Sequence, residues 1–196
     1  LEIETIVCTS TKQAELVKLF SNVYRDLSFG IANLFDEIAS IYDINGTKTI
    51  DIANYKYSRN NIAKPGFVAG PCLSKDAILL AQNIDNYKIV DTINMGRELN
   101  SIRIRRYCNL ISSKCKKNDT LLLCGLAFKG EPETDDLRGS AAVDFYQKIK
   151  ELRPDIKILL HDNLANEISI KSYFPGYELY NSQEISGDIV LNNNRN

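Results

Sequence analysis

Residues 119–128 read DTLLLCGLAF, and the fold turns on how that run is taken. Asp119 introduces it, and it is too brief for a helix. A short, continuous apolar run of this kind marks a strand buried on both faces of a parallel sheet. Downstream, 140–151 carries a helical period, Lys157 to Leu160 reads as a second strand, and GDIVLN at 187–192 reads as a further one. Strand, loop, helix, strand is the pattern of a βαβ unit. Upstream the character changes. Ser10 or Thr11 can cap a helix whose apolar positions Leu16, Phe20, Val23, Leu27, Ile31, Leu34 and Ile38 recur at spacings of four and three, reaching about Tyr42. Asn45-Gly46 stops it. A shorter helix covers about 47–55, and a loop with Pro65, Gly66, Gly70 and Pro71 follows. Further helices start near Leu73 and run over about 87–116. IETIVCT, within residues 1–10, reads as a short strand. The fold expected is α/β overall: a strand at 1–10, an all-helical domain at 11–117, and a parallel α/β domain at 118–196.

The chain has 196 residues, 44% of them hydrophobic and 25% charged, as in ordinary soluble globular proteins. Lys plus Arg total 24 against 25 Asp plus Glu, so no basic excess suits the chain to coating nucleic acid. The local basic cluster Arg103, Arg105, Arg106, Lys114, Lys116 and Lys117 reads as the wet face and C-terminal end of a helix. The longest apolar run, Leu121 to Phe128, is far short of the roughly 20 residues of a membrane-spanning helix. Five cysteines at wide, odd spacing fit reduced cytoplasmic thiols better than a disulfide scaffold. With His161 the only histidine, a His-based metal cluster or a Ser-His-Asp triad is not expected, and no metal is expected.

Three segments can carry chemistry. In KPGFVAGPCLSKD, 64–76, Cys72 follows a glycine loop at the start of a helix. A helix N-terminus offers free N–H groups and a positive dipole end, which favour thiolate over thiol. Lys75 adds a positive charge, and Asp76 is one turn from Cys72 on the same face, so the pair can act as nucleophile and acid or base. Taken alone, the segment reads more readily as a half-buried cysteine beside a solvated aspartate. Lys18 and Asn22 also share a helix face, where an ammonium and an amide can hold a developing oxyanion; alone they read as two exposed residues. In GLAFKGEPETDDLRGS, 125–140, a glycine directly after a buried strand, then Lys129 and Arg138, suggest anion binding at the C-terminal edge of a parallel sheet. Neither a G-x-G-x-x-G fingerprint nor a P-loop occurs anywhere.

These three segments, in this order, closely resemble the UDP-glucose/GDP-mannose dehydrogenase family. AELVKLFSNVYRD, 14–26, is similar to its helix bearing a catalytic lysine and asparagine. The second segment is similar to its glycine-rich loop with a catalytic cysteine and aspartate, and the third to the opening of its UDP-binding domain. The Tyr-Arg-Asp after Asn22 resembles the branch acting on UDP-N-acetylmannosamine and UDP-N-acetylglucosamine. Ala69-Gly70 with Pro71 before the cysteine, and a long spacing from Lys129 to Arg138, depart from the pattern.

The resemblance implies a helical dimerisation domain followed by a partial Rossmann-like domain. It implies oxidation of a sugar C6 alcohol to the acid with NAD, in the cytoplasm, for polysaccharide biosynthesis. Cys72 would form a thiohemiacetal and then a thioester, Asp76 would activate water or relay protons, Lys18 would stabilise the oxyanion, and Asn22 would hold the C6 oxygen or a water. Arg59, Phe67, Gly70, Phe128 and Lys129 would bind the UDP-sugar, and Lys75 and Arg138 would lie near NAD. Residues 1–10 would be the last strand of an NAD-binding domain lying ahead of Leu1, and the UDP-binding domain would continue past the end. By itself this chain is then expected not to turn over. The long first helix would serve a homodimer, or pack within one subunit. The alternative reading is a non-catalytic module that binds nucleotide sugar and dimerises.

Overall fold

The computed structural model describes residues 5–129, 132–181 and 190–192. Four helices come first: α1 (Thr11–Ile41), α2 (Gly46–Asn54), α3 (Pro71–Ala81) and α4 (Tyr87–Lys114). The α/β part follows as β1 (Thr120–Cys124), α5 (Ala141–Leu152), β2 (Lys157–His161), α6 (Glu167–Tyr173), β3 (Glu178–Leu179) and β4 (Val190–Asn192). The strands form one sheet in the order β3-β2-β1-β4, and every neighbouring pair is parallel. This is the helical domain and partial Rossmann-like domain expected from the sequence.

The sheet core is apolar. Leu121 and Leu123 of β1, Phe145, Tyr146 and Ile149 of α5, Leu160 of β2 and Phe174 bury together. Cys108 and Ile111 of α4, with Cys115 just beyond it, bury in the same core, so α4 serves both parts of the molecule. Arg153 secures the end of α4 by donating to the carbonyls of Ser112 (2.6 Å), Cys115 (2.7 Å) and Lys116 (3.0 Å). These are orphan acceptors of a helix C-terminus.

In the helical part α1, 31 residues and about 46 Å long, packs against α2, α3 and α4. It crosses α4 at Gly30 and Gly96. A Cβ on Gly30 would lie 3.2 Å from the Gly96 Cα, and one on Gly96 3.1 Å from the Leu27 amide nitrogen. Two missing side chains let the backbones touch.

Several expectations shift. Residues 5–10 form no strand: Ile6 and Val7 are 85% and 86% exposed, and the Thr9 amide and the Ser10 carbonyl bond forward to Gln13 and Ala14 of α1. Residues 1–4 lie outside the described residues. The apolar run from 120 stops as a strand at Cys124, because Gly125 turns at φ 74°. Asn45-Gly46 does not stop α1, which ends at Ile41 with Asp43 at φ 55°; the Asn45 side chain instead accepts from Lys48 N and caps α2. The next helix starts at Pro71, whose missing N–H costs nothing at a first helical position. Of GDIVLN, 190–192 form β4 and 187–189 lie outside the described residues. The α1 stripe also divides. Val23 is buried, whereas Leu16, Phe20, Ile31 and Ile38 stay exposed.

Candidate active site

Cys72 is the second residue of α3 and is exposed. Gly70, the residue before the helix, has φ 105°, a region that favours glycine. A Cβ there would also meet the Phe128 ring at 3.0 Å. Two independent reasons thus require glycine two residues before the thiol.

One turn further along α3, Asp76 is 1% exposed. Its Oδ2 accepts from Asn22 Nδ2 at 2.6 Å and its Oδ1 from Lys75 Nζ at 2.6 Å. Burial pushes this carboxyl up, but the hydrogen bonds from Lys75 and Asn22, with the charges of Lys75 and Lys18, outweigh it and hold the group below its ordinary value. Lys75 is raised in turn, chiefly by its bond to Asp76. The Cys72/Asp76 and Lys18/Asn22 pairs, 54 residues apart, are therefore one cluster joined by the Asn22–Asp76 bond. Lys18 is exposed one turn before Asn22.

The loop after β1 closes the other side. The Gly70 amide donates to the Gly139 carbonyl at 2.8 Å. Gly139 has φ 61°, and a Cβ on it would lie 3.1 Å from the Gly70 carbonyl carbon. Phe128 is half-buried against Gly70, and the Lys129 ammonium sits 5.5 Å from the Phe128 ring centroid. Arg138 is 68% exposed and forks onto Asp136, with Nη2 donating at 2.7 Å and Nε at 3.0 Å. That fork holds the Asp136 carboxyl below its ordinary value. A thiolate at Cys72 would raise both Lys75 and Arg138, so both cations lie within electrostatic reach of the thiol.

The remaining sequence candidates sit further out. Phe67 turns its ring onto α4, edge-to-face with Tyr107 at 5.2 Å and with the Arg103 guanidinium 5.7 Å away. Arg59 is exposed in the turn after α2, and no hydrogen bond or ion pair ties it to the Cys72 cluster. Among the described residues no group of three His, Cys, Asp or Glu side chains is placed to hold a metal ion. No described helix is long and apolar enough to cross a membrane.

Sequence reasoning missed a buried polar row. Asp26, Asn33 and Asn100 are buried between α1 and α4. Asn33 Nδ2 donates to Asn100 Oδ1 (2.9 Å) and to the Gly66 carbonyl (3.0 Å), while Gly66 N donates to Asn33 Oδ1 (2.9 Å). Asn100 Nδ2 donates to Asp26 Oδ1 (2.8 Å), and Arg97 pairs with Asp26. The available signal was spacing: Lys18, Asn22, Asp26 and Asn33 lie four, four and seven apart on one helix face.

The sequence pattern of the UDP-glucose/GDP-mannose dehydrogenase family, central domain, matches residues 12–101. The UDP-N-acetyl-D-mannosamine dehydrogenase of Methanococcus vannielii is 32% identical over 193 residues, covering 95% of this chain and 42% of that protein. That of Methanocaldococcus jannaschii is 36% identical over 146 residues, 74% of this chain and 33% of that protein. Among solved structures, the UDP-N-acetyl-mannosamine dehydrogenase of Staphylococcus aureus is 31% identical with a TM-score of 0.65, covering 81% of this chain and 36% of that one. A UDP-glucose dehydrogenase from Pyrobaculum islandicum, 21% identical with a TM-score of 0.73 over 87% of this chain and 40% of that one, shares the fold. The chain spans about a third to under a half of the length of the curated relatives it matches.

Proposed function

From a chain that belongs to the UDP-glucose/GDP-mannose dehydrogenase family, on the side of the UDP-N-acetylmannosamine dehydrogenases, we propose the following: it supplies the thiol and the nucleotide-sugar site of an NAD-dependent oxidation at C6 of a UDP-N-acetylhexosamine. The observation that carries this reading is the Asn22–Asp76 bond, which joins the two proposed catalytic pairs beside an exposed helix-start thiol.

NAD, when bound, supplies the hydride acceptor. Lys75 and Arg138 fit its anionic character, being two cations within reach of Cys72. The work of this chain is binding, sulfur chemistry and proton handling. Phe128 and Lys129, with Gly70 packed against the Phe128 ring, form the floor for the nucleotide sugar. Arg59 and Phe67 belong to its outer contacts. Loss of the C6 hydroxyl proton and of a hydride, for which bound NAD would be the acceptor, gives the aldehyde, which takes the Cys72 sulfur to form a thiohemiacetal while the Lys18 ammonium stabilises the oxygen that gains charge. After oxidation the carbon is held as a thioester. Water attacks it, the C–S bond breaks, the acid leaves and the thiolate returns. Asp76 is ionised at neutral pH, so it accepts from Asn22 and Lys75 and fixes their directions, and a water beside it could pass its proton to Asp76.

The protein works as a homodimer in the cytoplasm, with a second copy covering the exposed apolar side of α1 formed by Phe20, Ile31, Phe35 and Ile38. The domain division is 11–117 and 118–196, with 1–10 leading in from an NAD-binding domain.

The test is NADH formation from NAD and UDP-N-acetylmannosamine by the dehydrogenase that carries this chain, alongside its Cys72→Ala variant. Turnover lost in the variant with UDP-sugar binding retained supports the reading. UDP-sugar binding without any turnover in the unaltered protein would favour a binding and dimerisation module instead.

A further inference from the structure

The loop between α2 and α3 leads directly into the helix turn that carries the thiol, yet it has no helix or strand of its own between residues 57 and 70. Two asparagine side chains hold it, each in the same manner. Asn54 donates to the Ile62 carbonyl at 2.8 Å and accepts from the Ile62 amide at 2.9 Å. Asn33 does the same to Gly66, at 3.0 and 2.9 Å. A carboxamide is suited to this because it carries one donor and one acceptor side by side, as a neighbouring strand would.

The Asn33 clamp differs in what stands behind it. Asn33, Asn100 and Asp26 are all at most 5% exposed and form a continuous chain of hydrogen bonds ending on Arg97. The Gly30–Gly96 approach brings α1 and α4 close enough for these bonds to be direct. Buried polar chains are weak sources of stability, since apolar residues of similar volume usually serve as well. This one terminates on backbone six residues before Cys72. Beyond Gly66 the loop is fixed again at Gly70, by the Gly139 carbonyl and the Phe128 ring.

We propose that Asn33 is a positioning residue for the Cys72 loop, held in its orientation by Asn100 and Asp26. It touches neither thiol nor substrate. It fixes Gly66 so that Gly70 and Pro71 can start α3 with Cys72 in its first turn, near Lys75. The functional meaning rests on Cys72 being the reacting group, but the geometry does not.

The experiment reads the thiol directly on this chain, without NAD or substrate. The rates of iodoacetamide modification at Cys72 and Cys8 are measured by peptide mass spectrometry, well below the melting temperature. In Asn33→Ala the Cys72/Cys8 rate ratio is expected to fall by about three-fold or more as the first turn of α3 loosens. In Asn54→Ala, whose clamp lies four residues further from the thiol, it should stay within about two-fold. A merely structural role lowers the melting temperature in both and moves the ratio in neither, which would overturn the proposal. A second measurement needs no variant. The Gly66 amide should exchange hydrogen as slowly as the α1 amides around Asn33, and exchange as fast as in the 57–60 turn would equally overturn it. If the ratio moves while Cys72→Ala leaves turnover intact in the dehydrogenase, the positioning stands and the catalytic reading falls.

Discussion

In the α/β half, Phe145, Tyr146, Phe174, Leu121 and Leu123 bury completely against one another. In the helical half the buried apolar cluster is Val23, Ala77 and Ile93, while Phe20 is 57% and Tyr24 72% exposed. Alongside Ala32, Ile50 and Leu73, the buried positions there include Asp26, Asn33, Asp76 and Asn100. The first half is a dry core that specifies a sheet by volume and shape. The second is a set of directed polar contacts and one glycine crossing, which specifies where side chains point. The thiol belongs to the second, at the seam where Gly70 meets Gly139 and Phe128. The lesson is that the sheet half supplies bulk stability and the helical half supplies geometry.

The sharpest way to break that contrast is Phe145→Ala. Truncating a fully buried phenylalanine should cost about 3–5 kcal/mol by urea unfolding, with loss of sheet structure before the α1–α3 contacts by hydrogen exchange. Simultaneous loss of both halves would show that they are one cooperative unit.

Gly96→Val probes the other half by overfilling rather than emptying. With its Cβ 3.1 Å from both the Asp26 carboxylate and the Leu27 amide nitrogen, the valine should cost roughly 1–3 kcal/mol. The damage should appear as faster exchange at Gly66, not in the sheet. An unmoved Gly66 amide would mean that the crossing and the loop are independent.

Asp76→Asn is expected to cost about 1–2 kcal/mol at neutral pH, because the charge-assisted bonds to Lys75 and Asn22 weaken. The pH dependence has a definite sign. The native carboxyl titrates below its ordinary value of 3.8, so its stabilisation is present above that value and is lost as pH falls through the lower native one. Acid titration of the melting temperature should be shallower in the variant. An unchanged titration would show that the Asp76 cluster is not formed in solution.

The smallest effect on stability, within about 0.5 kcal/mol, should come from Phe20→Ser with Phe35→Ser, both on the exposed side of α1. Light scattering should nonetheless show a dimer becoming a monomer. A protein whose mass is unchanged by the pair would place the subunit contact elsewhere.

The sequence made some of this legible and hid the rest for physical reasons. Ser10 as the α1 cap, the DTLLLC strand and α5 were readable, because capping chemistry and short apolar runs are local signals. Cys72 with Asp76, and Lys18 with Asn22, were readable as pairs, but the bond uniting them spans 54 residues and has no local mark. Asn33 and Asn100 were passed over, and Asp26 was noted only within Tyr-Arg-Asp, because polar residues beside an apolar stripe normally face water; here Gly30 and Gly96 draw the helices so close that the polar face is the buried one. The two-residue β3 is exposed and carries no hydrophobic pattern, so it too escaped notice.

The proposed chemistry requires Cys72 to bond covalently to the sugar. Its most direct test is an acid quench of the dehydrogenase carrying this chain, during turnover of UDP-N-acetylmannosamine and NAD, followed by mass analysis of the peptide containing Cys72. A fraction of that peptide is expected to be heavier by the substrate's acyl group, through a linkage that hydroxylamine removes. A Cys72 peptide that stays unmodified, with turnover persisting in Cys72→Ala, would contradict it.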